Sequence, residues 1–226
     1  MTLFRWLFRR AKVAPETKAN VPDGDRGLDS LYPLIVPSRY LTRGVWDLPH
    51  HAFPNSEYIL TWVFFSSESS MSYIMREDYD ALNKNHEGWQ QAAFENLRNS
   101  LGSGNFYTNY RTAEDGRSLA FIIFSNEDGI GSSRILLSHE LSQGFPEGYM
   151  VVMPDRAMGI VVSKKISNSD SGVLRDLIDE YYGCTGTAMS KEIMSPKDFL
   201  LPGKWLEPID TDLSEWMVNE ILTFNE

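Results

Sequence analysis

Gly148-Tyr-Met-Val-Val-Met-Pro-Asp-Arg-Ala-Met-Gly-Ile-Val-Val-Ser163 is the stretch from which the fold is read. Two apolar runs flank Pro154-Asp155-Arg156-Ala157. Proline presets φ and aspartate bonds its own backbone, so the pair suits the first half of a tight reversal. Neither run alternates with polar residues as a half-wet strand would. The stretch therefore reads as a hairpin buried at the centre of a sheet.

Outward from this hairpin the chain continues to alternate. Tyr58–Phe65 is a strand, residues 66–70 a turn, and Met71–Met75 its partner. Trp89, Ala93, Leu97 and Leu101 recur every four residues beside Phe94, which predicts an amphipathic helix closed by Gly102. Phe106–Thr112 and Leu119–Phe124 form two strands joined through Asp115-Gly116, a hairpin signal. A second helix opens at Ser132 or Ser133 and ends near Gly144, apolar on most sides. A third starts at Ser169 or Asp170, carries Val173, Leu174, Leu177, Ile178 and Tyr181, and stops at Gly183. Asp212-Leu-Ser-Glu215 has capping-box spacing before a last helix at about 212–224. Hairpins with helices inserted between them predict an α+β domain, its sheet mainly antiparallel and its helices largely on one face.

The 226 residues accommodate one domain with an appendage. Residues 13–30 are polar and rich in Pro and Gly, so they read as a linker, and 31–226 as a single domain with its core at about 57–200. Within it, Leu31–Pro54 is aromatic and punctuated by Pro33, Pro37, Pro49 and Pro54, more an ordered wrap than regular structure. The formal charge is −10. Met1–Lys12 carries Arg5, Arg9, Arg10 and Lys12 without an acid, so the rest stands at −14, the whole less that segment's +4. A body so acidic, with no basic groove in its pattern, excludes nucleic acid as a partner. One cysteine, Cys184, excludes an intramolecular disulfide and points to a reducing cytoplasm. No apolar run reaches the roughly 20 residues that cross a bilayer. Leu3, Phe4, Trp6, Leu7 and Phe8 among the arginines give Met1–Lys12 the composition of a short interfacial helix. The plain reading is docking on the protein's own surface or a frayed terminus; weak contact with the inner membrane surface is the alternative.

No catalytic constellation emerges, and neither a cofactor nor a metal is implied. His50, His51, His86 and His139 lack ligand spacing, and His139-Glu140 has no second histidine four residues on. Cys184 follows a helix end, where the negative pole disfavours a thiolate. Carboxylate pairs such as Glu77/Asp78 and Asp179/Glu180 read as solvated faces. The most site-like loop is Asn126-Glu-Asp-Gly-Ile-Gly-Ser-Ser-Arg134, which joins a strand to a helix N-terminus. Gly129 and Gly131 would admit a ligand closely, Ser132 and Ser133 would donate, and Arg134 with Arg156 would add charge. Against an anion stand Glu127, Asp128 and the absence of a P-loop lysine; the plain reading is a turn and an N-cap.

Ala92-Ala93-Phe94-Glu95-Asn96-Leu97-Arg98, Ser133-Arg134-Ile135-Leu136-Leu137 and Val151-Val152-Met153-Pro154-Asp155-Arg156 occur in that order. They resemble successive segments of the bacterial YtpQ-like family, a domain of unknown function, and Ala188–Met194 corresponds to its C-terminal Leu-Ser segment. The resemblance covers roughly residues 70–200. The family's turn often continues with an acid where this chain has Ala157. What the resemblance implies is a cytoplasmic bacterial α+β protein, with no catalytic residues to carry over.

The expectation is a non-enzymatic protein-binding module, of the immunity type in its most specific form, whose partner presents a basic surface. Tyr32, Tyr40, Trp46, Phe53 and Trp205 are the aromatic candidates for that contact. The alternative is an enzyme or small-anion-binding protein built on the 126–134 loop with Arg156. Oligomeric state is not encoded in any pattern found.

Overall fold

The computed structural model describes residues 27–42, 47–65, 71–100, 108–125 and 129–207. Met1–Lys12, most of the linker, Trp46, the 66–70 turn, Gly102, residues 126–128 and the helix expected at 212–224 lie outside them. The fold is α+β and every strand pairing is antiparallel.

The strands divide into two sheets. In the first, β1 (Leu31–Pro37) lies along one side of β3 (Tyr58–Phe65). On the other side β2 (His51–Ala52) pairs with the start of β3 and β4 (Met71–Tyr73) with its end. The second sheet has the order β5-β6-β8-β7, from β5 (Thr108–Thr112), β6 (Leu119–Ser125), β7 (Tyr149–Asp155) and β8 (Met158–Ser163). β5 and β6 are joined through Asp115 and Gly116, with Gly116 at φ 65°, as the Asp-Gly signal requires.

The Pro-Asp-Arg hairpin forms with Asp155 opposite Met158. It is buried, but only β8 is internal; β7 is the edge strand. Pro154 explains part of this, because it has no N–H to give a second neighbour and sits where the β7–β8 register shifts. The edge is instead sealed by the chain beyond the third helix. Thr187 O accepts from Arg156 N–H (3.2 Å), and Met189 and Ser190 N–H donate to Pro154 and Met153 O (3.2 and 2.9 Å). Met194 and Val151 exchange bonds of 2.8 and 2.9 Å. This strap gives both runs of the hairpin a neighbour on each side.

One further expectation is corrected, and one helix has no forerunner in the sequence pattern. Leu31–Pro37 is a strand, not a wrap: Pro33 and Pro37 are tolerated because β1 has a strand partner on one side only. Helix α1 (Arg76–Asn85) has no apolar periodicity to announce it, since Leu82 is its one buried residue. In its first turn Glu77 lies exposed and Asp78 half-buried.

Helix α2 (Trp89–Asn99) packs Trp89, Ala93, Phe94 and Leu97 against β1 and β3, with Trp62 edge-on to Trp89 at 4.7 Å between centroids. The second predicted helix is a 3-10 helix, Gly131–Gly144, buried on nearly every side. It shares a core with the first sheet and one face of the second, while α3 (Asn168–Tyr181) covers the opposite face through Leu174, Leu177 and Ile178. Helices thus cover both faces of the second sheet. That is why β6 and β8 read as unbroken apolar runs. Ser167 caps α3, accepting from Asp170 N–H, two residues before the expected Ser169. A short α4 (Gly203–Leu206) ends the described chain against α2.

Candidate functional site

The six residues singled out in the sequence, Gly129, Gly131, Ser132, Ser133, Arg134 and Arg156, gather where the hairpin turn meets the start of the 131–144 helix. Their roles there are largely taken by the protein itself. A Cβ on Gly131 would lie 2.1 Å from Ala157 O, and one on Gly159 would lie 2.5 Å from Gly131 O. The close approach that glycine permits is thus made by the chain's own turn. Ser132 N–H donates to Arg156 O (3.0 Å) and Ser133 N–H to Ile130 O (2.9 Å), so two amides of the helix N-terminus are engaged. The Ser133 hydroxyl accepts from Ile35 N–H at 3.0 Å, capping a backbone donor on the outer side of β1.

The arginines do not project into solvent. Arg134 is fully buried, and its Nη2 donates to Ser100 Oγ (3.0 Å) at the end of α2, where the helix dipole favours a cation. Arg156 is buried beside Gly129, whose φ of 74° turns the loop; a Cβ there would lie 3.8 Å from Arg156 Nε and Nη2. Ser132 Oγ is buried and makes no hydrogen bond among the described residues.

Sequence reasoning passed over Asp155, which organises this junction. It is fully buried. Its Oδ1 accepts from Ala157 N–H (3.0 Å), Thr185 Oγ1 (2.5 Å) and Thr187 Oγ1 (2.9 Å), and its Oδ2 from Thr185 N–H (3.4 Å). One carboxylate thereby pins the hairpin turn to the root of the strap. The only trace in the sequence is the pairing of an aspartate in a turn with Thr-Gly-Thr thirty residues later, which carries no spacing rule.

An ionic cluster centres on Arg98 of α2. Arg98, 1% exposed at its side chain, donates to Glu95 Oε2 (2.6 Å), Glu140 Oε1 (2.9 Å) and Leu206 O (3.0 Å). Burial works against the charge, but Glu140 and Glu95 outweigh it and raise the guanidinium pKa. The cluster ties α2, the 131–144 helix and α4 together.

The aromatic candidates for a surface contact are mostly internal. Phe53 is buried, Tyr32 and Tyr40 pack on the core, and Trp205 sits edge-on to Trp62 and His51. Exposed apolar side chains occur elsewhere, notably on and beside the strap. Between its bonds to Met153 and Val151 the strap lifts off, leaving Lys191, Glu192 and Ile193 exposed, Ile193 by 51%. Lys191 Nζ folds back to Asp179 Oδ1 (2.8 Å) and over the ring of Tyr182 (4.9 Å), which is 43% exposed. Among the described residues no group of three or more His, Cys, Asp or Glu side chains could hold a metal ion, and no helix is long and apolar enough to cross a membrane.

No family model, curated protein or solved structure matches the chain.

Proposed function

We propose that this chain is a non-enzymatic, cytoplasmic protein-binding module whose partner presents a basic surface. The observation that carries the reading is the Lys191-Glu192-Ile193 loop with Tyr182 and Asp179. It sets an exposed aliphatic and an exposed aromatic side chain among carboxylates, on a body of net negative charge. An apolar centre with a charged rim is the anatomy of a protein interface, and the acidity selects the sign of its partner. An immunity-type role, masking a basic toxin, is the specific form of this reading. The order of the three family-like segments, on α2, the 131–144 helix and β7, supports kinship with the YtpQ-like family.

The test is capture by the tagged protein at about 50 and 500 mM salt, with Tyr182→Ala/Ile193→Ala alongside. The expected result is a stoichiometric basic partner retained at low salt, released at high salt and at least tenfold weaker with the double variant. A folded bait that captures nothing, or a partner held equally by the variant, overturns it.

The small-anion alternative has one observation in its favour, the buried hydroxyl of Ser132, without a hydrogen bond among the described residues, at a helix N-terminus flanked by Arg134 and Arg156. The engaged amides of Ser132 and Ser133 weigh against it. Calorimetric titration with inorganic phosphate decides: millimolar or tighter binding lost in Ser132→Ala would favour it, and no heat would dismiss it.

A further inference from the structure

Helix α3 ends against its own charge pattern. The C-terminal pole of a helix favours cations, yet the last turn of α3 carries Asp179 and Glu180 and no basic residue. Asp176 lies exposed one turn earlier, and neither it nor Glu180 makes an ion pair among the described residues; nor does the exposed Arg175. A local rule broken without compensation marks a place where function is to be sought.

The missing cation comes from the strap. Lys191 Nζ lies 2.8 Å from Asp179 Oδ1 and 4.9 Å from the ring centroid of Tyr182, the residue directly after the helix. A carboxylate, an aromatic face and a helix C-terminus thus converge on one ammonium group, and each attracts cations by a separate mechanism.

Lys191 is a loose occupant. Its side chain and that of Asp179 are 48% and 57% exposed, and ion pairs so exposed are weak and screened by salt. It stands where the strap lifts off β7, between the bonds of Ser190 N–H to Met153 O and of Met194 N–H to Val151 O. Within that loop Glu192 N–H bonds Ser190 Oγ (3.0 Å), so the loop's shape is set locally. An ammonium offers this site a point charge on a flexible stem. A guanidinium would instead stack flat on the Tyr182 ring and fork onto both oxygens of Asp179. Ile193, exposed two residues beyond Lys191, supplies an apolar flank for its stem.

We infer that Asp179 and Tyr182 form a seat for an arginine side chain of a basic protein partner, with Lys191 as its built-in competitor. Lys191 fills the seat until the guanidinium displaces it. The seat rests on the protein-binding role proposed for this surface, to which it adds the group recognised and the contact that restrains binding.

Fluorescein-labelled hexa-arginine and hexalysine are titrated with the full chain and read by anisotropy at about 20 mM NaCl, where surface charge is little screened. Hexa-arginine should bind Lys191→Gln at least about threefold more tightly than wild type, since both the ion pair and the ring contact are vacated. Lys84→Gln removes the same charge from an exposed position on α1 and should bind as wild type does. Adding Tyr182→Ala to Lys191→Gln should abolish the gain, and hexalysine should gain less than hexa-arginine. An equal gain in Lys84→Gln, a gain that survives Tyr182→Ala or is as large with hexalysine, or no binding of hexa-arginine by these folded proteins overturns the seat. Capture from lysate separates this failure from that of the wider role. A basic partner held equally by wild type and Lys191→Gln overturns the competitor and leaves the binding module standing. A Tyr182-dependent peptide gain with no captured partner upholds the seat and counts against the stoichiometric partner instead.

Discussion

Asp155 and Arg156 are neighbours in one turn, yet they have different duties. The aspartate accepts four hydrogen bonds inside the protein, and the arginine contributes its backbone to both the 131–144 helix and the strap. Replacing Asp155 by Ala removes the acceptor of the Thr185 and Thr187 hydroxyls, leaving them only each other (2.6 Å), and should cost about 3 kcal/mol, since each bond to a charged acceptor contributes about 1.5–3 kcal/mol. Urea unfolding should show a lower midpoint at unchanged slope; an unshifted midpoint contradicts the assignment. Gly131→Ala should be at least as damaging, because its Cβ would meet the backbone of Ala157 rather than a yielding side chain. A different carboxylate supplies the pH dependence. Backbone amides of Ser118 and Arg117, with the Ser118 hydroxyl, lower the Asp115 pKa to about 2. A depressed pKa means that the turn's contribution is complete above the unfolded value of about 4. It is lost as pH falls through about 2. The Asp115 carboxyl shift should titrate in that window by NMR; a midpoint near 4 would mean that the turn does not form.

At the scale of elements, burial on both sides decided what could be read. Tyr58–Phe65, Leu119–Ser125 and the Pro-Asp-Arg hairpin were legible because apolar runs bounded by turn residues have few other readings. Helix α1 and strand β1 were not. The first shows a polar surface with one buried leucine, and the second has prolines whose tolerance depends on which sheet edge they occupy. The candidate loop was legible as a junction but not in its purpose, because glycines that admit a ligand and glycines that admit the chain's own turn look identical in sequence. The Arg98 cluster was invisible for another reason: Glu95, Glu140 and Leu206 come from three elements. Arg98→Met should destabilise by about 3–5 kcal/mol, because it removes the buried guanidinium that both the Glu95 and Glu140 carboxylates bond. Adding Glu140→Gln should recover part of that loss in the same denaturation assay; a double variant worse than the sum would refute the pairing. Exchange of the strap amides supplies an independent check. Met189, Ser190 and Met194 N–H are bonded along β7 and should be protected, whereas Ile193 N–H in the lifted loop should exchange far faster.

For the whole molecule the open point is whether two sheets make one cooperative body. The main core answers in structure: Trp62 and Leu34 of the first sheet, Ile135 and Leu137 of the 131–144 helix, and Ile122 and Val161 of the second sheet belong to one buried cluster. The 131–144 helix is the bridge, bonded to β1 through Ser133 and to the hairpin turn through Ser132. This arrangement gives tryptophan fluorescence an unusual use once Trp6, Trp46 and Trp216 are replaced by Phe. Among the described residues the tryptophans are Trp62, Trp89 and Trp205, and all three surround the first sheet. Asp155 belongs to the hairpin turn of the second. If the shared core couples the sheets, Asp155→Ala should move the fluorescence transition by the same amount as the far-ultraviolet circular dichroism transition, both remaining single. A fluorescence transition that stays at its wild-type midpoint while the dichroism splits would mean that the second sheet unfolds alone. The strap, which belongs to the second sheet's edge, would then be a locally unfolding unit, and the surface at Tyr182 and Ile193 would be presented by the less stable half of the protein.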